Sequence, residues 1–279
     1  MTIERVAIIG FGEVGRALAT EMPVPVRTYD IDTFKGAKYA NPADAVANAD
    51  LVICAVTAAQ TIAAAESVAP HIRPKAWYLD LNSASPDAKI GAAHIIDGAG
   101  GRYVEAAVMS PIEPKRLSSP MLLGGPHAEA IVPFLQARGF SGAVFYSPAP
   151  GKAAATKLCR SVMIKGLEAL ISESLLSARH YGVEDTVLDS LNNLFPHADW
   201  HGYARYMISR TLEHGARRAE EMREAAKTVT EAGVTPWMSE AIIERQAWAP
   251  AFAAALKHND LKDLLDAMRA QMSKEEAAK

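Results

Sequence analysis

Apolar residues in the first half of the chain fall into short runs, separated by turn residues and by stretches of helical spacing. Val6-Ala7-Ile8-Ile9 is continuously apolar, as in a strand buried on both faces of a parallel sheet. After a glycine turn, residues 14–22 read as a helix stopped by Pro23. Residues 24–29 predict a second strand, with Pro25 admissible only near its start. Asn41-Pro42 supplies an N-cap and a proline at the first helical position, opening a short helix to residue 49. Residues 51–56 and 77–81 predict two more strands, with an Ala-rich helix between them that ends before Pro70. Ser85-Pro86 opens the next helix, which ends at residues 98–101. Strand patterns at 103–108, 121–123 and 143–146, with a helix over 127–138, complete this half. The alternation predicts an α/β fold with a doubly wound, mostly parallel sheet.

The pattern changes at Pro148-Ala149-Pro150-Gly151, beyond which no strand is predicted. A long helix over 153–181 is followed by helices at about 184–194, 200–230, 236–247 and 250–270. The expected organisation is a Rossmann domain over 1–151 and an all-helical substrate and dimerisation domain over 152–279.

Gly10-Phe11-Gly12-Glu13-Val14-Gly15 follows the first strand directly and opens a helix, the context in which a G-x-G-x-x-G turn binds a dinucleotide. Glycine is needed there for the tight turn, for backbone approach to a pyrophosphate and for close packing of helix on strand. The helix start adds N–H groups and a positive dipole end. Asp30 ends the second strand about twenty residues beyond Gly10, where a carboxylate can hold a ribose diol. Its charge favours NAD over NADP, although Lys35 and Lys38 lie close in sequence; both read as solvated surface lysines. Val56-Thr57 and Asn82-Ser83 end strands at the edge where open α/β sheets take ligands, so they join the cofactor candidates. For Thr57 the plainer alternative is helix capping.

A net charge of -3 and a pI near 6.3 leave no electrostatic footprint for nucleic acid or for a membrane surface. No stretch approaches the ~18 consecutive apolar residues of a membrane span, and Cys54 and Cys159 read as free thiols, so the expectation is a cytoplasmic protein. His197, Asp199 and His201 cluster without an evident fourth ligand, and no metal is expected.

The glycine turn, the segment Leu79-Asp80-Leu81-Asn82-Ser83 with Pro86, and the segment from Gly151 to Lys157 together resemble the β-hydroxyacid dehydrogenase superfamily. That group includes 6-phosphogluconate and 3-hydroxyisobutyrate dehydrogenases. Pro150-Gly151, Lys157, Arg160-Ser161 and Lys165-Gly166-Leu167-Glu168-Ala169-Leu170 resemble a branch described as phosphogluconate-dehydrogenase-like, NAD-binding oxidoreductases. The resemblance implies that Lys157 is the general acid/base of the family's Gly-x-Gly-x-x-x-Lys-x-x-Asn-Asn motif. Here Ala153 replaces the second glycine, and Arg160 and Ser161 stand for the two asparagines. Residues 105–111 occupy the place of the family's substrate loop, with Met109, Ser110 and Pro111 departing from its Ser-Gly-Gly. Reaction type is therefore carried over, and substrate identity is not.

His214, Arg217, Arg218 and Glu221 recur at i, i+3, i+4 and i+7, on one helical face that either lines a substrate cleft or is solvated. The expected activity is NAD(P)-dependent hydride transfer with a small, acidic, 3-hydroxy-acid-like alcohol or carbonyl compound. Met109, Ser110, Pro111, Arg160, Ser161, His214, Arg217 and Arg218 are its candidate substrate contacts. The alternatives are an imine reductase, which usually lacks the lysine, and a non-catalytic dinucleotide-binding redox sensor. Apolar residues all along the helix at 153–181 predict a homodimer.

Overall fold

The computed structural model describes residues 3–193 and 198–277. The chain forms two compact units, residues 1–159 and 160–279.

The first unit is a seven-stranded sheet in the order β2-β1-β3-β4-β5-β6-β7. Its strands are β1 (Val6–Ile9), β2 (Val26–Tyr29), β3 (Leu51–Cys54), β4 (Trp77–Asp80), β5 (Arg102–Val108), β6 (Met121–Gly124) and β7 (Ala143–Ser147). The first five strands are mutually parallel, β6 runs antiparallel to β5, and β7 follows β6 in parallel. β1, β3 and β4 are buried throughout, which is why they read as apolar runs rather than alternating ones. The helices are α1 (Glu13–Glu21), α2 (Pro42–Val46), α3 (Thr61–Val68), α4 (Pro86–Gly98), α5 (Ala128–Gln136) and the start of α6 (Lys152–Tyr181). One core joins Ile8, Ile53, Leu79, Val104 and Leu123 to Leu18 of α1 and Ile131 of α5. The other face joins Ile9, Val52, Tyr78 and Tyr103 to Val46, Val68 and Ile96. Asn41 accepts from the Asp44 N–H at 2.8 Å and Ser85 from the Ala88 N–H at 3.4 Å, so both helix starts are capped by their own side chains.

The chain turns from β1 to β2 on one side and to β3 on the other. The carboxyl ends of β1, β3 and β4 therefore open together at a topological switch point, where sheets of this kind take ligands.

The unit boundary falls eight residues beyond the expected one, because the opening turns of α6 pack on the sheet: Gly151, Ala153, Ala154 and Leu158 are all buried. The second unit contains the rest of α6, α7 (Glu184–Ser190), α8 (Trp200–Glu231), α9 (Trp237–Trp248) and α10 (Leu261–Ala277). Its core gathers Leu175, Leu188, Ile208, Leu212, Phe252, Leu264, Leu265 and Met268. The single helix expected over 250–270 is instead a 3-10 segment, Ala249–Lys257, followed by α10. His258 is extended, and Asp260 accepts from the Lys262 N–H at 2.8 Å, which restarts the helix. Among the described residues no helix is long and apolar enough to cross a membrane.

Candidate functional site

The three glycines of the turn have distinct surroundings. Gly10 has φ +94°, and a Cβ there would lie 2.3 Å from the Ala55 carbonyl oxygen at the end of β3. A Cβ on Gly15 would lie 2.0 Å from the Gly10 oxygen, so helix and turn can approach only without one. Gly12 has nothing within 4 Å, and no side chain caps the start of α1. The protein's own packing thus explains Gly10 and Gly15, whereas the absence of a side chain at Gly12 leaves space over the helix start. A dinucleotide pyrophosphate fits that space and its N–H groups. Phe11, Gly12 and Val14 are partly exposed here and Glu13 is exposed. Gly12→Ala is accordingly expected to leave thermal stability within about 0.5 kcal/mol, as for surface changes generally. It should weaken dinucleotide binding by about tenfold or more, read by nicotinamide fluorescence titration.

Asp30 lies just past β2, almost fully buried. Its Oδ2 accepts from the Phe11 N–H at 2.7 Å and its Oδ1 from the Asp32 N–H at 2.9 Å. The Lys35 Nζ sits 3.2 Å from both oxygens. Burial alone would raise this carboxyl, but the two backbone donors and the Lys35 ammonium outweigh it and hold it below the usual aspartate range. Lys35 is therefore a partner of Asp30 rather than a solvated lysine, while Lys38 is exposed.

At the ends of β3 and β4, Asn82 spends its amide on the protein. Its Oδ1 accepts from the Val56 N–H at 2.8 Å, and its Nδ2 donates to the Cys54 Sγ at 3.4 Å. It braces these two strand ends, and so orders Val56. Thr57 is exposed and makes no side-chain cap, so the capping alternative does not describe it. Beneath Asn82 lies Asp80, fully buried, which accepts from the Asn82 N–H at 2.9 Å and the Tyr103 hydroxyl at 2.8 Å and pairs with Lys89 at 2.8 Å. Burial, then the Asp80 charge, pushes the Tyr103 phenol well above its ordinary range, so it stays a donor.

Lys157 stands on the second turn of α6, half-buried, with Nζ 2.6 Å from the Ser83 Oγ. The same enclosed space is lined by Asn82, Lys89, Glu105 and Ala154. Glu105 is completely buried and receives the start of α6: the N–H groups of Gly151 and Ala153 donate to it at 2.6 Å each, and that of Ala154 at 3.4 Å. A buried carboxylate on a helix N-terminus satisfies donors that the helix itself cannot. This group, and the Asp80-Lys89-Tyr103 cluster, lie outside the sequence-derived site. The signal that could have found them is a charged residue inside an otherwise apolar strand, Leu79-Asp80-Leu81 and Val104-Glu105-Ala106.

In the loop after β5, Met109 and Ser110 are partly exposed and Pro111 exposed; the Met109 N–H donates to the Pro120 carbonyl at 2.9 Å.

Within the second unit, Arg160 is exposed and Ser161 is buried, accepting from the Lys165 Nζ at 3.1 Å. Lys165 also pairs with Glu221 at 2.8 Å, and Arg217, exposed, pairs with the same carboxylate. Arg218 is buried and bound to Glu168, which accepts also from Gln246 at 3.2 Å. The polar stripe is therefore divided: Arg217 faces out and Arg218 in, so Arg218 is not presented to an anion. His214 is held by burial, and then by Arg210, below the usual histidine range, and it is neutral at pH 7. Asp199 caps α8 through the Gly202 N–H at 2.9 Å and His201 contacts Asp185 at 3.2 Å, while His197 lies outside the described residues. Among the described residues no group of three or more potential metal ligands gathers.

A family model described as a domain of unknown function, DUF1932, matches residues 178–249. The chain is similar to a conserved hypothetical protein from Sinorhizobium meliloti 1021, with 36% identity, 96% of each chain covered and a TM-score of 0.79. It is also similar to conserved protein MTH1747, itself described as structurally similar to 3-hydroxyacid dehydrogenases. That match has 28% identity, 88% of this chain and 98% of the other covered, and a TM-score of 0.69. The fold is shared with Mycobacterium tuberculosis 3-hydroxyisobutyrate dehydrogenase at 18% identity and a TM-score of 0.71, over 97% of this chain and 99% of that one.

Proposed function

We propose that this chain, which belongs to the β-hydroxyacid dehydrogenase-like superfamily, is an oxidoreductase in which a bound nicotinamide dinucleotide supplies the hydride donor or acceptor. Its substrate is a small polar alcohol or carbonyl compound of 3-hydroxy-acid type. The observation that carries the reading is the 2.6 Å contact between the Lys157 Nζ and the Ser83 Oγ, at the sheet edge that also holds the open Gly12 turn.

The glycine turn and the start of α1 would hold the pyrophosphate, and Asp30 the adenosine end. Oxidising an alcohol needs a base for the hydroxyl proton, and reduction needs the same group as an acid. Lys157 is the group poised to hold that proton on Nζ. Its position beside Ser83 fixes the ammonium against a hydroxyl that can pass hydrogen bonding onward to a ligand. The enclosed lining around Lys157 limits water, which strengthens each electrostatic contact within it.

Ser110, in the loop after β5, is the side chain of the first unit that we assign to the substrate's polar groups. A homodimer is part of the same reading: Met163 and Leu170 on α6 are 65% and 57% exposed, an apolar surface that a second copy would cover.

The test is a turnover screen. Purified protein is offered hydroxy acids and their carbonyl counterparts with NAD(H) and NADP(H), following nicotinamide absorbance. Turnover on a member of the hydroxy-acid set supports the reading. Turnover on imines alone, or dinucleotide binding without turnover on any compound, would replace it with a reductive amination activity or a sensor.

A further inference from the structure

Lys89 of α4 and Asp80 of β4 form an ion pair inside the first unit, at 1% and 0% exposure. The Lys89 Nζ lies 2.8 Å from the Asp80 Oδ1 and donates to the Asp80 carbonyl oxygen at 3.1 Å, across a separation of nine residues. Replacing such a pair by apolar groups of the same volume is often neutral or stabilising, so holding α4 to the sheet does not account for the charges. Their place in the chain does. The connection that they close, residues 81–85, is pinned along its length. The Asn82 N–H donates to the Asp80 Oδ1 at 2.9 Å, the Asn82 Oδ1 accepts from the Val56 N–H at 2.8 Å, and Ser85 caps α4. Leu81, Asn82, Ala84 and Ser85 are buried, and of the five Ser83 alone is partly exposed. Its Oγ meets the Lys157 Nζ, and Lys89 lines the same enclosed space. The chain entering α6 also rests on α4: a Cβ on Gly151 would lie 3.3 Å from the side chains of Pro86 and Ile90.

We infer that Lys89 is a positioning residue for the acid/base group: by fixing the start of α4 to the end of β4, it directs the Ser83 hydroxyl at Lys157. Asp80 takes Lys89 on one carboxylate oxygen and the Tyr103 hydroxyl, at 2.8 Å, on the other. The Lys89 ammonium is thereby anchored through β4 to β5 and kept off the contact that it orients. This role depends on the proposed one of Lys157 as the proton-carrying group.

Lys89→Met alone leaves Asp80 charged, buried and unpaired, and should melt early. Combined with Asp80→Asn, it exchanges the ions for neutral groups of similar size. The amide still accepts the Asn82 N–H, and the Tyr103 hydroxyl can turn to accept from the amide. This double variant is expected to fold and to bind dinucleotide as the wild type does, with kcat lower by about tenfold or more and KM for the dinucleotide little changed. Added to Ser83→Ala, the same two changes should lower kcat by less than about twofold, because the hydroxyl they direct is already gone. A second readout needs no substrate. Trace acetylation of the intact protein with acetic anhydride is followed by mass spectrometry at Lys157, with exposed Lys38 as reference. Lys157 should react about threefold or more faster in the double variant and in Ser83→Ala than in the wild type, since the amine has lost the hydroxyl that holds it. A double variant that fails to fold, equal losses of kcat with and without the Ser83 hydroxyl, or unchanged acetylation of Lys157 would each overturn the positioning role. Wild-type turnover in Lys157→Ala would instead overturn the proton-transfer reading and the part of Lys89 in it, whatever the acetylation shows.

Discussion

Lys157→Ala is expected to lower turnover by a factor of about 10² to 10⁴, the range that a positioned acid/base group contributes, while the dinucleotide Kd moves by less than about twofold. The separation follows from where the side chain sits. Its Nζ meets the Ser83 Oγ at 2.6 Å, and the space it lines is bounded by β4, β5 and α6 rather than by the glycine turn. Alanine is the best helix former, so the second turn of α6 loses no helical propensity and the fold is retained. Lys157→Arg distinguishes proton transfer from charge. A guanidinium keeps the positive charge and the hydrogen bond to Ser83 but stays protonated, so it cannot serve as a base. The arginine variant is therefore expected to be about as inactive as the alanine variant. Small primary amines added to the alanine variant should restore part of the rate. Activity within about threefold of wild type in Lys157→Ala would remove the lysine from the chemistry.

Much of the first unit was legible because its strands are buried on both faces, so their apolar runs are unbroken and their ends are marked by Gly, Pro and Asn. The glycine turn was legible for a related reason: spacing and context together specify a backbone shape. Tertiary pairing was not. Asp30 is visible as an acidic strand end, but nothing local indicates that Lys35 folds back on it, because the return is made by a short 3-10 turn over Thr33–Lys35 with Gly36 in the left-handed region. Arg217 and Arg218 share a helical stripe in sequence, yet one faces out and the other pairs with Glu168 across fifty residues. A periodicity argument resolves a face only to about a third of the helix circumference, which is wider than the angle that separates these neighbours. The unit boundary moved for the same kind of reason: the break at Pro148 to Gly151 marks where the chain turns, not where its packing changes allegiance.

Glu105→Ala is expected to be the most damaging single change to the first unit, and it should harm Lys157 without touching it. Glu105 is fully buried at the strand position opposite Asp80, so two carboxylates sit side by side in the sheet. Each is neutralised separately, Asp80 by Lys89 and Glu105 by the start of α6. The fold makes room for it: a Cβ on Gly124, its partner on β6, would lie 2.4 Å from the Glu105 Oε1. Removing the carboxylate strands up to three N–H donors in a buried place, each costing about 1–3 kcal/mol if nothing replaces the lost acceptor. Partial relaxation and water entry reduce the sum to roughly 2–4 kcal/mol, a drop in Tm of about 5–15 °C for a unit of this size. Turnover should fall with it, since the helix that aims Lys157 loses its anchor six residues upstream at Gly151. Glu105→Gln separates anchoring from charge. The amide keeps one oxygen for the helix start but turns an NH2 donor toward the other N–H, so it should recover only part of the stability. A Glu105→Ala protein with wild-type melting would show that the helix start does not depend on the carboxylate.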